Sequence, residues 1–295
     1  MRILIVCVHF PVAAGRHLAR AFRRLGHDVR TLGPSSGFHI WGMVVKPEWA
    51  WEADFQVGPD GGWMLPAEWT PELVITADSG FAIKAEWDCP HVCVGYDNHV
   101  RDYRFDGVNY DAFFGAHTWG MRMDEPTSHW LPPAYEPEDH YDTGGERDLD
   151  VVLIGVMYEE RQVLVRALAD AGLNVLAGTG ALYDDYRALY NRAKISLVVP
   201  ILQDVPHRLL ETLAMGCCVL AKPMPDAEKM GLRKYRDYVP FRDADDLVRK
   251  ATALVQGDKW REYAILGQAA GRPHTWEARA REVLRVVAKL EPIGA

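Results

Sequence analysis

The sequence predicts an α/β protein built as two doubly wound domains, each a parallel sheet covered by helices, and three observations carry that expectation. Short β-branched runs alternate with amphipathic segments along the chain, the pattern of strands joined by helical crossovers. The alternation halts at a polar stretch, EPEDHYDTGGERD, which reads as a linker, and then restarts. At 295 residues the chain also exceeds one typical domain and can bury two cores. The expected division is 1–143 for the N-terminal domain, 144–273 for the second, and 274–295 for a last helix that crosses back to the first.

Taken in order, RILIVCV is the first strand; the opening MRILIVCVHF is apolar over too few residues for a secretion signal and has no small-residue cleavage site. GRHLARAFRRLGHDV is helical, because Leu18, Phe22 and Leu25 recur at helical spacing before Gly26 stops the run. DVRTL, ELVITA, HVCVGY and DAFFGA supply further strands of the same sheet. Between them, residues 34–71 are irregular and carry Trp41, Trp49, Trp51, Trp63 and Trp69. A connection that long is usually functional or disordered, and so many tryptophans argue against disorder. Two roles are open for them, stacking on a sugar or base ring and packing beneath the loop.

The second half reads as LDVVLIGV, a helix with Val163, Leu164, Ala167 and Leu168, then LNVLAGT, DDYRALYNRAK and ISLVVPI. PHRLLETLAMGCCVLAKPMPD follows as a helix and a short strand, then DYVPF and the helices DADDLVRKATALVQ, DKWREYAILGQAA and HTWEARAREVLRVVAKL. In the last of these Trp276, Ala280, Val283, Leu284 and Val287 form an apolar stripe, with Arg279, Arg281 and Arg285 largely off it.

Composition narrows the function. A hydrophobic content of 48% with 25% charged residues is ordinary for a globular chain. The net charge of −8 argues against a dedicated nucleic-acid binder, although Arg16, Arg20, Arg23 and Arg24 line one side of the first helix and offer a basic face to a polyanion or anionic surface. No apolar run is long enough to span a membrane. The five cysteines include the adjacent Cys217 and Cys218, poorly placed for a mutual disulfide, so a reducing cytoplasm is the expected compartment. Cys89, His91 and Cys93 lack a second ligand pair for zinc and read as alternate residues of a buried strand. Asp148 and Asp150 sit at a strand start and are assigned no metal.

The chemistry concentrates at PHRLLE. Pro206 suits the first position of a helix and Gly216 suits its end. The helix start then offers backbone donors and a partial positive charge to a phosphate, and Arg208 adds a planar charged fork to the same oxygens. Glu211 lies three residues on, about 4.5 Å along the axis, where a carboxylate accepts both hydroxyls of a ribose. That spacing fits a nucleoside diphosphate; an Arg and a Glu on a solvated face have the same spacing with no ligand at all.

The series YNRAKISLVVP, HRLLETLAMGCCVLAKP, YVPFRDADDLVRKATALV and WREYAILGQAAGRPHTWEARAREVL resembles the C-terminal half of GT-B glycosyltransferases of the group 1 type, most closely the CgeB-like group with its R-x-x-E-x-x-A-x-G core. LRRLGHDV and SHWLPPAYEPEDH are similar to segments of the corresponding N-terminal half. The resemblance implies two Rossmann-like domains facing a central cleft and transfer of a hexose-like unit from a nucleoside-diphosphate sugar, such as a UDP-sugar, with no metal and no cofactor beyond that co-substrate. On the matching positions Glu211 holds the donor ribose, Arg208 and the helix tip hold the diphosphate, and His207, Gly155 and Arg161 stand on the same donor side. Many retaining relatives carry a glutamate eight positions before the ribose glutamate, where this chain has Gln203, a hydrogen-bonding but uncharged donor-side candidate.

The N-terminal half is expected to supply the hydroxyl acceptor site and a general base. Asp97 and His99 are the catalytic candidates, because alternate positions beyond a strand point to one side. Gly15, Asp78 and His117 are acceptor-side candidates, and His9 is a further residue at a strand end. The acceptor is left open among a glycan, a small molecule and a polyanion such as modified DNA. Two other readings stay on the table: a catalytically silent nucleotide-sugar binding protein, and a Rossmann-type oxidoreductase, disfavoured because no G-x-G-x-x-G follows the first strand.

Overall fold

A computed structural model describes residues 1–37, 39–40, 43–58, 61–77, 81–100, 107–120 and 127–290. The chain divides into two compact units, Met1–Pro132 with Trp276–Ala295, and Pro133–Thr275. The first opens with β1 (Arg2–Val6), α1 (Ala14–Arg24), β2 (Asp28–Leu32), β3 (His39–Ile40), β4 (Met43–Val44), β5 (Leu73–Ala77), β6 (His91–Gly95), β7 (Ala112–Gly115) and β8 (Ser128–Trp130). Six of these strands form one parallel sheet in the order β2-β1-β5-β6-β7-β8, while β3 and β4 make a small antiparallel pair. Ile3, Leu4, Ile5 and Val6 are all fully buried, which is why β1 reads as an unbroken apolar run. Strand β8, SHW, has no such run, and its pairing with β7 is a tertiary event that the sequence pattern did not show.

Helix α1 buries Leu18 and Phe22 and ends at Gly26, whose φ of +85° lets the His27 N–H reach back to the Phe22 carbonyl (3.1 Å). In place of a crossover helix, the long segment between β2 and β5 covers one sheet face. Phe55, Trp63, Leu65 and Trp69 pack there with Phe81 and Trp87 against Leu4, Val6, Leu32, Val74 and Ile83. The Trp69 indole donates to Asp28 Oδ2 (2.8 Å). Of the two roles open to these tryptophans, packing is the one observed; Trp41 lies outside the described residues.

The second unit contains β9 (Leu149–Ile154), α2 (Glu159–Asp170), β10 (Val175–Gly178), α3 (Tyr183–Asn191), β11 (Ala193–Val198), α4 (His207–Ala214), β12 (Cys218–Ala221), α5 (Pro225–Lys229), β13 (Val239–Pro240), α6 (Ala244–Gln256) and α7 (Trp260–Gly271). Its sheet is parallel throughout, in the order β10-β9-β11-β12-β13. Helix α2 sets Leu164 and Leu168 into a core with Leu247, Ala251 and Leu254 of α6. Val163, expected on that face, is 57% exposed, because it sits one residue round from the buried stripe. Asp243 caps α6 by accepting the Asp246 N–H (2.9 Å).

The expected linker belongs to this unit. Asn191 donates to the Tyr141 carbonyl (3.0 Å) and accepts the Thr143 N–H (2.7 Å), and Tyr135 packs with Leu209 and Leu213. The division therefore falls after Pro132, well before Gly144.

The last helix, α8 (Trp276–Val287), packs on α1 within the first unit. Trp276 stacks on His17 (5.2 Å between centroids) and meets Tyr96 edge-on. Arg279, expected off the apolar stripe, is buried and donates to the Pro132 carbonyl (2.6 Å), while Leu284 is only half-buried. Among the described residues, no helix is long and apolar enough to cross a membrane.

Candidate nucleotide-sugar site

In the second unit, β9 lies between β10 and β11, so the chain leaves it first to one side and then to the other. Such a switch point opens a crevice at the carboxyl ends of its strands. Gly155 follows β9 and α4 follows β11, which brings the two donor-side segments of the sequence to that crevice.

Gly155 has φ +151°, and a Cβ there would collide with Arg208 Nη2 and stand 3.7 Å from Arg161 Nη1. Glycine is thus the residue that lets two guanidinium groups crowd one strand end. The two are held differently. Arg161 gives Nε (3.2 Å) and Nη2 (2.6 Å) to the Val199 carbonyl and Nη1 to the Val156 carbonyl (2.8 Å). Burial and the neighbouring Arg208 push its pKa down to about 10. Arg208, half-buried as a residue, has Nε and Nη1 shut off from solvent with no hydrogen-bond partner. Burial opposes its charge, but Tyr190, Tyr186 and Glu211 around it outweigh that, and its pKa is raised. Two buried donors without partners on a charged fork are groups that an anion can satisfy once the side chain shifts to present them.

Helix α4 begins at His207, with Pro206 in the capping position and not the first helical one, and no side chain caps it. One turn on, Glu211 Oε2 accepts the Tyr186 hydroxyl (2.9 Å), and Oε1 lies 3.9 Å from His140 Nε2. Burial and then the Glu211 charge raise the Tyr186 pKa well above the ordinary phenol value, so its hydroxyl remains a donor. His207 turns its Nδ1 to the Ala134 carbonyl (2.8 Å) and so anchors the helix start. Gln203 is exposed with φ +63° on the preceding loop, which Asp204 braces by accepting the Ile201 N–H (2.8 Å). Tyr186, Tyr190 and His140 had no sequence signal as site residues, since each reaches the site through contacts between separate elements.

The candidates of the first unit are placed as follows. Strand β6 ends at Gly95 and a turn takes over, so the alternation expected to align Asp97 and His99 does not apply; Asp97 is exposed and His99 half-buried. Asn98 between them is buried and clamps the His117 backbone through its amide group (2.9 and 3.0 Å), and the His99 and His117 rings meet edge-to-face at 4.6 Å. Gly15 serves packing: a Cβ there would stand 2.6 Å from Cys7 Sγ, so its absence lets α1 close on β1. Asp78 lies outside the described residues. His9 is fully buried against Trp51, neither ring nitrogen has a partner, and burial lowers its pKa to about 4.

Several other expectations resolve at the same level. Asp148 pairs with Arg192 (2.5 Å) and Asp150 with Lys194 (2.7 Å). All five cysteines are free thiols, and His91 bonds Thr76 (2.9 Å) inside the sheet. On α1, Arg16 holds the Pro11 and Trp49 carbonyls, Arg23 pairs with Asp54 and Arg24 with Glu277, so these three serve local structure. A cleft of about 430 Å³ in the second unit, lined by Asp142, Arg147, Gly216, Trp260 and Gln268, lies at the amino ends of β9 and β12, away from Arg208. Arg147 there is occupied by the Tyr190, Ala193 and Met215 carbonyls.

Residues 141–285 match the family model described as glycosyl transferase-like. No curated protein matches by sequence. The sucrose-phosphate synthase of Thermosynechococcus elongatus superposes with a TM-score of 0.66 at 13% identity, over 98% of this chain and 99% of that one. The pneumococcal O-GlcNAc transferase GtfA, solved with UDP and GlcNAc, gives 0.62 at 9% identity over 98% and 99%. The DNA-modifying β-glucosyltransferase, solved with and without its substrate uridine diphosphoglucose, gives 0.60 at 13% identity over 98% and 100%. The matched family is the broad one; the CgeB-like grouping stays an expectation of the motif. Residues 141–285 thus resemble the glycosyl transferase-like family, in a chain with the GT-B fold of two Rossmann-like domains.

Proposed function

We propose that this protein transfers a sugar from a nucleoside-diphosphate sugar to a hydroxyl acceptor without a metal ion. The observation that carries the reading is the pair of unsatisfied Arg208 donors beside Gly155, with the Glu211 carboxylate one turn further along α4. Arg208 and the uncapped helix start take the diphosphate, and Glu211 takes the ribose. As the bond to the sugar breaks, negative charge grows on the leaving diphosphate, and fixed donors aimed at it stabilise the transition state more than the ground state. These groups stand where a cation would otherwise act, which is the reason for proposing metal independence. The first unit is assigned the acceptor and the general base. The solved relatives that act with UDP and on DNA make UDP-sugars the first donors to try and leave a polyanionic acceptor worth including.

The test is a thermal-shift and calorimetric screen across nucleoside-diphosphate sugars, followed by detection of released nucleoside diphosphate with EDTA present. A donor at a hundred times its Kd adds about 2.7 kcal/mol of stability, a readily measured shift. Binding with neither hydrolysis nor transfer would make the protein a silent binder. A loss of turnover in EDTA that magnesium restores would remove metal independence. No binding by any donor would end the reading.

A further inference from the structure

The Glu211 carboxylate is hydrogen-bonded by Tyr186 and neighboured by His140. Tyr186 donates to Oε2 at 2.9 Å, and His140 Nε2 stands 3.9 Å from Oε1. Both partners are themselves fixed. Tyr186 is buried, its ring 4.4 Å from Tyr190 and 5.9 Å, edge-on, from His140. The Tyr190 hydroxyl in turn receives the N–H of Ile154, the last residue of β9 (3.1 Å), so a line of contacts runs from the sheet to the carboxylate. His140 Nδ1 accepts the Glu136 N–H (3.2 Å), which places the proton of the neutral ring on Nε2, the nitrogen facing Glu211. A carboxylate has about four lone-pair positions. Tyr186 uses one on Oε2, and those remaining suit two vicinal hydroxyls.

Resting on the nucleotide-sugar reading above, we propose that Tyr186 and His140 are positioning residues that hold Glu211 for both ribose hydroxyls and thereby set selectivity for ribonucleotide over 2′-deoxyribonucleotide donors. A carboxylate free to change rotamer re-aims at the single hydroxyl of a deoxyribose and recovers part of the lost interaction. A carboxylate held in place does not, so the missing hydroxyl leaves a polar group without its partner, the situation in which sites discriminate most strongly.

The experiment is titration calorimetry of the wild type, Tyr186→Phe, His140→Phe and Leu247→Ala with UDP, ADP and GDP, each beside its 2′-deoxy counterpart. The wild type is expected to prefer the ribonucleotide about tenfold or more for the base it binds, the scale of one hydrogen bond to a charged group. Tyr186→Phe and His140→Phe are each expected to bring that ratio to about threefold or less, because Glu211 is released. Leu247→Ala opens a cavity in a core cluster separate from that of Tyr186 and is expected to keep the wild-type ratio while lowering stability, which separates positioning from a general loosening of the fold. A wild-type ratio in both Tyr186→Phe and His140→Phe overturns the proposal and leaves the donor site intact. Failure of folded wild type to bind any of the six nucleotides overturns the functional reading and this inference with it.

Discussion

Arg208→Met is expected to leave the stability of the ligand-free protein within about 2 kcal/mol of wild type and to make the donor complex far weaker. Methionine stands in for the aliphatic stem of arginine but carries no charge. In the protein as it stands, Arg208 Nε and Nη1 are inaccessible and unbonded. A buried polar group without a partner costs about 1–3 kcal/mol, so removing two relieves roughly 2–6 kcal/mol. Against this stands the lost attraction to Tyr190, Tyr186 and Glu211, which surround the guanidinium. Because the guanidinium pKa is raised, that attraction at least matches the cost of burying the charge. The two terms nearly cancel, so ligand-free stability is expected to stay within about 2 kcal/mol of wild type. In the donor complex a shift of the guanidinium that presents its donors to the diphosphate gives charge-assisted bonds of about 1.5–3 kcal/mol each, so affinity falls about a hundredfold or more. Thermal melts with and without donor, together with calorimetry, read both numbers. A variant destabilised by more than about 2 kcal/mol, or one that binds donor within about threefold of wild type, would refute the assignment of these donors to a ligand.

Glu211→Ala is expected to weaken nucleotide-sugar binding by about 1.5–3 kcal/mol with the fold intact, and unchanged affinity in calorimetry removes the ribose role. Stability should fall on acidification between pH 6.5 and 4, since burial holds His9 and His91 neutral in the fold down to about 4 while the unfolded chain takes up their protons below 6.5. Each contributes up to about 3 kcal/mol, fully present above pH 6.5, so urea titrations that show no loss across this window contradict the buried neutral state. Ending the chain at Thr275 strips Trp276, Ala280, Val283, Val286 and Val287 from the first unit, all of them buried. Hydrogen exchange should then accelerate in α1, β1 and β2, and protection lost only between residues 133 and 275 would show that α8 does not stabilise that unit.

The order and kind of the major elements were legible in the sequence because parallel strands buried on both faces and helices buried along one stripe leave periods that local reading detects. The same holds for Arg208 and Glu211: their spacing along one helix is fixed by the helical rise, so a phosphate and ribose arrangement is written in residue numbers alone. Gly155 and Arg161 were legible as candidates, but that Gly155 exists to admit Arg208, and that Arg161 is tied to carbonyls while Arg208 is not, depends on packing between segments some fifty residues apart. The polar run 136–148 read as a linker because composition reports solvation; in the fold its groups meet Asn191 and its flanking Tyr135 an apolar cluster, partners that no local window contains. Asp97 and His99 looked paired only under strand alternation, and the strand stops at Gly95 because Asn98 ties the turn to His117. Sequence thus determined what each segment is and where one helix places its own residues. Tertiary structure decided which charges are satisfied, since that is a property of neighbours brought together from different strands and helices.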